Sequence, residues 1–115
     1  MISDKTLQRI LAFRKERDWE QFHTFKSLAI SVTLEAAELL EKVQWTSDPD
    51  VLGVASARRQ EISDEIADIA IYLTYMAHDL GLDIDDCVRK KLAINEENYP
   101  VDKAKGRSDK YDRLK

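Results

Sequence analysis

The sequence predicts an all-α protein, a four-helix bundle-like protomer that assembles into a homo-oligomer. Three observations carry the all-α reading. Apolar residues recur at spacings of three and four along four stretches. Only three Gly and two Pro stand in 115 residues, too few for a sandwich or barrel with many tight turns. Cap and terminator residues flank the periodic stretches.

The first helix is expected over about Ser3–Arg17, capped by Ser3, with Leu7, Ile10, Leu11 and Phe13 on one face. Asp18–Thr24 (DWEQFHT) breaks that pattern and reads as a structured loop. The second helix is expected over Phe25–Trp45, on the stripe Leu28, Val32, Ala36, Leu39 and Val43; TSDPD after it holds turn residues. Val51–Ser56 reads equally as a turn of helix or a loop. The third helix is expected over Ser56–Leu80, about 37 Å at 1.5 Å per residue, with Gly81 as terminator. Ile62, Ile66, Ile69, Leu73, Met76 and Leu80 form its stripe, while Ile71 and Tyr75 lie off it. A helix apolar on two sides in so short a chain points to a second subunit covering one of them. The fourth helix is expected over Ile84–Asn98, capped by Asp83 and followed by Pro100. Residues 101–115 show no helical stripe and read as a basic tail on a domain of residues 1–100.

Charge and cysteine narrow the class. The net charge is −4 and the pI about 5.2, which disfavours nucleic acid as a partner. Residues 1–99 hold 12 basic and 19 acidic residues, a balance of −7; residues 100–115 hold six and three, a balance of +3. The basic end is either solvated or a cover for an anion. A lone Cys87 forms no internal disulfide and no cysteine zinc site, so a reducing, cytoplasmic setting is expected, with Cys87 itself a buried small apolar residue. No stretch has the length of a membrane span, and MISDKTLQRI lacks a signal-peptide layout, so no membrane partner is expected.

The chemistry concentrates on the second and third helices. Glu35 and Glu38 stand three apart on one, Glu65 and Asp68 three apart on the other, so each pair shares a helix face. Their neighbours are apolar, and no Lys or Arg occurs from Ile30 to Glu41 or from Gln60 to Val88. Like charges at this spacing are repulsive, and four carboxylates converging between two helices would protonate unless neutralised. A divalent cation is the simplest neutraliser; all-oxygen ligands select Mg²⁺ first and Mn²⁺ second. Exposed acids on two amphipathic helices are the competing reading, and both are open on charge alone. The Glu-x-x-His pairs of di-iron bundles are absent, which disfavours a redox bundle.

Glu-x-x-Glu on one helix followed by Glu-x-x-Asp on the next resembles the signature of the all-α nucleoside triphosphate pyrophosphohydrolases, the MazG-like group. ERDWEQFH at Glu16–His23, Gln44-Trp45, Asp68-Ile-Ala-Ile-Tyr72, Lys91 with Asn95, Tyr99-Pro100 and Lys110-Tyr111 resemble the dCTP pyrophosphatase branch, in the same order and over nearly the whole chain. The resemblance implies hydrolysis of a (deoxy)nucleoside triphosphate, dCTP or a modified relative, to the monophosphate and pyrophosphate. It implies Glu35, Glu38, Glu65 and Asp68 as Mg²⁺ ligands. Glu61 and Asp64 form a competing pair one turn earlier; Tyr72 following Asp68 at the family spacing favours the later one. Trp19, Phe22, Trp45 and Tyr72 are implied as stacking residues for the base and His23 as a hydrogen-bonding group. Lys91, Asn95, Lys110 and Tyr111 are implied at the phosphates, the tail of this or a neighbouring subunit closing over them. It further implies homodimers paired into tetramers. Two departures bear on base choice and phosphate affinity: Ile10 stands where mammalian members have His, and Glu96, Glu97 and Asn98 replace more basic residues. The alternative from another class is a non-catalytic helical oligomerisation or binding module whose acids form a solvated face.

Overall fold

A computed structural model describes residues 2–114. Its helices are α1 (Asp4–Glu16), α2 (Phe25–Glu41), α3 (Asp48–Ala57), α4 (Arg59–Asp79), α5 (Ile84–Asn98) and α6 (Val101–Ala104), with 3₁₀ turns at Glu20–Phe22 and Tyr111–Arg113; no strand occurs among the described residues. The chain divides into two units, Ile2–Gly81 and the segment from Leu82 onward.

Within the first unit α4 is the central rod. It packs along α2, and α1 and α3 also touch it. Local caps explain most helix ends. Ser3 accepts from the Thr6 amide to start α1, and Thr24 accepts from the Ser27 amide to start α2. The C-terminus of α1 is a Schellman motif. Asp18 takes a left-handed φ of 55°, its amide donates to the Lys15 carbonyl, and the Trp19 amide donates to the Arg14 carbonyl. Asp is tolerated there, and Gln21 Nε2 donates to its Oδ2 at 3.1 Å. The motif brings Trp19 edge-on to Phe13, ring centroids 5.6 Å apart. The loop expected after the first helix is therefore ordered by α1's own C-cap.

Two helix boundaries need correction, and one undecided segment is resolved. The second helix ends at Glu41 rather than Trp45, because the chain tightens to three-residue hydrogen bonds at Val43 and Thr46. The undecided Val51–Ser56 segment is helical, inside α3, with Ser47 before it, Pro49 in its first turn and Asp48 and Asp50 at its positive end. The expected third helix starts at Arg59 rather than Ser56, because Arg58, with φ of −105° and ψ of 25°, leaves the helical region and separates it from α3. Arg58 Nε donates to Glu61 Oε2 at 2.6 Å and its Nη1 to the Lys42 carbonyl at 3.4 Å, so the kink is tied to the turn after α2. Gly81 does close α4, with φ at 68°.

The second unit starts with α5 over the expected residues, and the Asp83 side chain accepts from the Asp85 amide. The basic tail is not featureless. It holds α6 and a 3₁₀ turn, the Tyr111 ring lies edge-on to Tyr99 at 6.1 Å, and Arg107 pairs with Asp109 at 2.6 Å. Cys87 is exposed, not buried. The half-covered positions of α5 are Ile84, Asp86, Asn95 and Asn98, a different set.

The fully enclosed core is small. Leu28 on α2 and Tyr75 on α4 are its buried apolar members, beside buried Arg14 and Thr74. Leu34 on α2 and Ile66 on α4 each stay more than half exposed. No helix among the described residues is long and apolar enough to cross a membrane.

Candidate active site

The pairing of α2 with α4 brings carboxylates from both helices together. One oxygen each from Glu35, Glu38 and Glu65 lies within 4.8 Å of the others. Glu35 and Glu38 are one turn apart on α2, and Glu65 faces them from α4. The crowding shifts their protonation. Glu35 is pushed up to about 7, chiefly by its hydrogen bond to Glu65, then by burial and by Glu38. Glu65 is held below the usual carboxylate range, first by that same hydrogen bond. Glu35 is therefore the carboxyl of the three that holds a proton furthest above the ordinary range, beside an ionised Glu65. Glu65 Oε2 is buried without a hydrogen-bond partner. A buried, unpartnered carboxylate oxygen beside two further carboxylates fits a hard divalent cation, which takes oxygen ligands and displaces the proton. Asp68 stands one turn after Glu65 but lies outside this three-residue group.

Asp68 instead lines a cavity of about 430 Å³ between α1 and α4. Ile71 and Tyr72 of α4 border it beside Asp68; Thr6, Arg9, Ile10 and Phe13 of α1 form the opposite wall. Trp19 and His23, from the connection after α1, and Tyr75 of α4 complete the lining. Most of these surfaces are aromatic or aliphatic, with a few polar groups placed among them, the composition of a small-molecule slot.

The base of the cavity rests on a buried polar network. Tyr75 is 3% exposed, and its hydroxyl donates to the Ile10 carbonyl at 3.1 Å. The Arg14 guanidinium lies 4.5 Å from the Tyr75 ring centre and forks onto Asp79 at 2.9 and 2.8 Å. That fork holds the Asp79 carboxyl below its ordinary range. The His23 ring lies 5.0 Å from Tyr75, and its Nδ1 is buried without a partner. Burial, then the nearby Arg14 charge, pushes the imidazole down, so His23 is neutral at physiological pH.

Of the residues singled out in the sequence, Trp19, His23, Asp68 and Tyr72 meet at the cavity, and Glu35, Glu38 and Glu65 meet at the acidic cluster. Trp45 lies in the turn after α2, 90% exposed and outside the cavity lining, and Phe22 is also outside it. Glu61 pairs with Arg58, and Asp64 accepts from Gln60, so the competing acidic pair is engaged elsewhere. Lys91 and Asn95 lie one turn apart on α5, and Lys110 and Tyr111 lie at the last 3₁₀ turn; all four belong to the second unit. Sequence reasoning missed Arg9, Arg14, Lys42, Tyr75 and Asp79. Lys42 alone had a legible signal, a cation one residue beyond the acid-rich stretch.

The model of the MazG-like family matches residues 30–114, a span that includes the acidic residues of both helices. The chain belongs to the MazG-like family. Human dCTP pyrophosphatase 1 is 36% identical over 104 residues, covering 89% of this chain and 61% of that protein. Bovine dCTP pyrophosphatase 1 is 35% identical over 115 residues, covering 95% of this chain and 68% of that protein. The chain thus spans about three fifths of the human relative's length. A crystal structure of a pyrophosphatase from Archaeoglobus fulgidus superposes with a TM-score of 0.82 at 38% identity, covering 84% of this chain and 91% of that one. At that identity the MazG-like all-α fold is shared.

Proposed function

We propose that this MazG-like chain is a Mg²⁺-dependent nucleoside triphosphate pyrophosphohydrolase that converts a (d)NTP and water to the (d)NMP and pyrophosphate, with dCTP or a modified dCTP as substrate. The carrying observation is the joining of two features by one helix. Glu65, in the acidic cluster, and Asp68, at the aromatic cavity, stand one turn apart on α4. A nucleotide with its base in the cavity carries its phosphates toward the carboxylates.

Each side chain has a part in that arrangement. Glu35, Glu38 and Glu65 would hold the ion, and Asp68 joins them as a fourth ligand on the family resemblance. A bound divalent cation supplies Lewis-acid stabilisation of charge on the phosphate oxygens. The carboxylate that the ion leaves least engaged accepts the proton of the attacking water, a role open to any of the four. Trp19 and Tyr72 flank the base, and neutral His23 is a polar side chain of the lining beside them. Trp45, Lys91, Asn95, Lys110 and Tyr111 keep their proposed substrate contacts on the resemblance alone. A cytoplasmic location and a homotetramer built as a dimer of dimers belong to the same proposal. The exposed apolar residues Leu34 and Ile66 on the two packed helices support a partner subunit.

The test is a panel of canonical and modified triphosphates with Mg²⁺, monophosphate and pyrophosphate being quantified. Equimolar monophosphate and pyrophosphate, strongest with cytosine bases, is the expected result. Release of single phosphate from every triphosphate rejects the reaction; equal rates on all bases reject the cytosine preference alone.

A further inference from the structure

The acidic cluster carries a cation of its own. Lys42 follows the last residue of α2, and its ammonium lies 3.8 Å from Glu65 Oε1. The two side chains are only 12% and 16% exposed, so solvent screens the pair weakly. The same ammonium donates to the Glu38 carbonyl at 3.5 Å, among the carbonyls that the end of α2 leaves unpaired. The Lys42 carbonyl accepts from Arg58 Nη1 at 3.4 Å, which ties its backbone to the start of α4. The lysine is therefore held at both ends.

The two oxygens of Glu65 have different surroundings. Oε1 faces Lys42, whereas Oε2 is buried without a hydrogen-bond partner. The three converging carboxylates, when ionised, match the charge of one lysine and one divalent ion; Asp68 stands outside this group. We propose that Lys42 is a tethered counter-ion of the cluster, engaging Glu65 Oε1, leaving Oε2 open to a divalent cation, and weakening the hold on that cation by its own charge. This rests on the metal reading given above. It makes Lys42 a positioning residue acting through Glu65, not a group that touches the reacting atoms.

The experiment compares the full-length protein with Lys42→Met and Lys42→Arg variants, without nucleotide, at pH 8.5, where Glu35 is ionised. Mg²⁺ affinity is measured by calorimetry, and melting temperature with EDTA and with Mg²⁺. Lys42→Met is expected to bind Mg²⁺ on the order of tenfold more tightly, melt lower in EDTA and gain a larger melting shift from Mg²⁺. Lys42→Arg, which keeps the charge, is expected to match the parent. A lysine serving only as a helix cap would lower both melting temperatures equally and leave the affinity unchanged, which overturns the proposal, as does weaker binding in Lys42→Met. Absence of Mg²⁺ binding in all three proteins overturns the metal reading itself and the counter-ion role with it.

Discussion

Mg²⁺ binding should expel a proton from Glu35, in an amount set by pH. The metal-free cluster holds this carboxyl up at about 7, because Glu65 and Glu38 crowd it and burial disfavours its charge. A group titrating there is about 0.8 protonated at pH 6.5 and almost fully ionised at pH 8.5. A cation taking up the Glu35 oxygens therefore releases about 0.8 proton at the lower pH and close to none at the higher. The same competition weakens apparent Mg²⁺ affinity by about fourfold at pH 6.5 relative to pH 8.5. Titration calorimetry in buffers of different ionisation enthalpy measures the proton count directly. Glu35→Gln has no proton to give and should abolish the pH-dependent release. The linkage also fixes a sign for stability. The folded-state value lies above the unfolded one, so metal-free protein loses stability as pH rises from the carboxylate range through about 7. Saturating Mg²⁺ should flatten that decline. Zero proton release at pH 6.5, or equal release at both pH values, would refute the raised Glu35 carboxyl.

Asp79→Asn should cost about 2 kcal/mol in denaturant unfolding, because it leaves the buried Arg14 guanidinium without its counter-charge at a partly exposed site. The Asp79 pKa is depressed, so its contribution is present above about 3.8, the ordinary aspartate value, and is lost as pH falls through the lower folded value; the variant should lack that acid-side loss. Trp19→Ala should raise KM for the preferred triphosphate by about 5- to 150-fold with little change in melting temperature, since base stacking on an aromatic ring contributes about 1–3 kcal/mol. Asp68→Asn, tested in steady-state kinetics and Mg²⁺ calorimetry, should lose activity together with on the order of tenfold or more in ion affinity. Unchanged ion affinity with a raised KM would instead assign Asp68 to the cavity it lines.

Local signals were readable in the chain, and long-range ones were not. Ser3, Asp83 and Gly81 act through neighbours within four residues, so the ends they govern follow from sequence. The break at Arg58 carries no Gly or Pro; it is held by a contact to Lys42, 16 residues away. Asp18 conceals a Schellman motif because Gly usually occupies that left-handed position. The acids stood out because like charges without interleaved cations sit on two apolar-flanked helices; charge alone left a solvated face open, and of the four acids Asp68 lies outside the group that forms. Its internal cation had one local signal, Lys42 directly after the acid-rich stretch, but its partner Glu65 lies 23 residues on and is set only when α4 is laid beside α2. Likewise Arg14 and Asp79 stand 65 residues apart, and neither has a local feature announcing the fork that supports the cavity.

The central claim is that carboxylates from α2 and α4 hold one hard divalent cation beside the nucleotide cavity. Crystals grown with Mn²⁺ and diffracted near the manganese absorption edge test it most directly. The account predicts an anomalous peak within bonding distance of Glu35, Glu38 and Glu65. A well-ordered cluster with no peak there, or manganese bound only at other acidic residues, would contradict it.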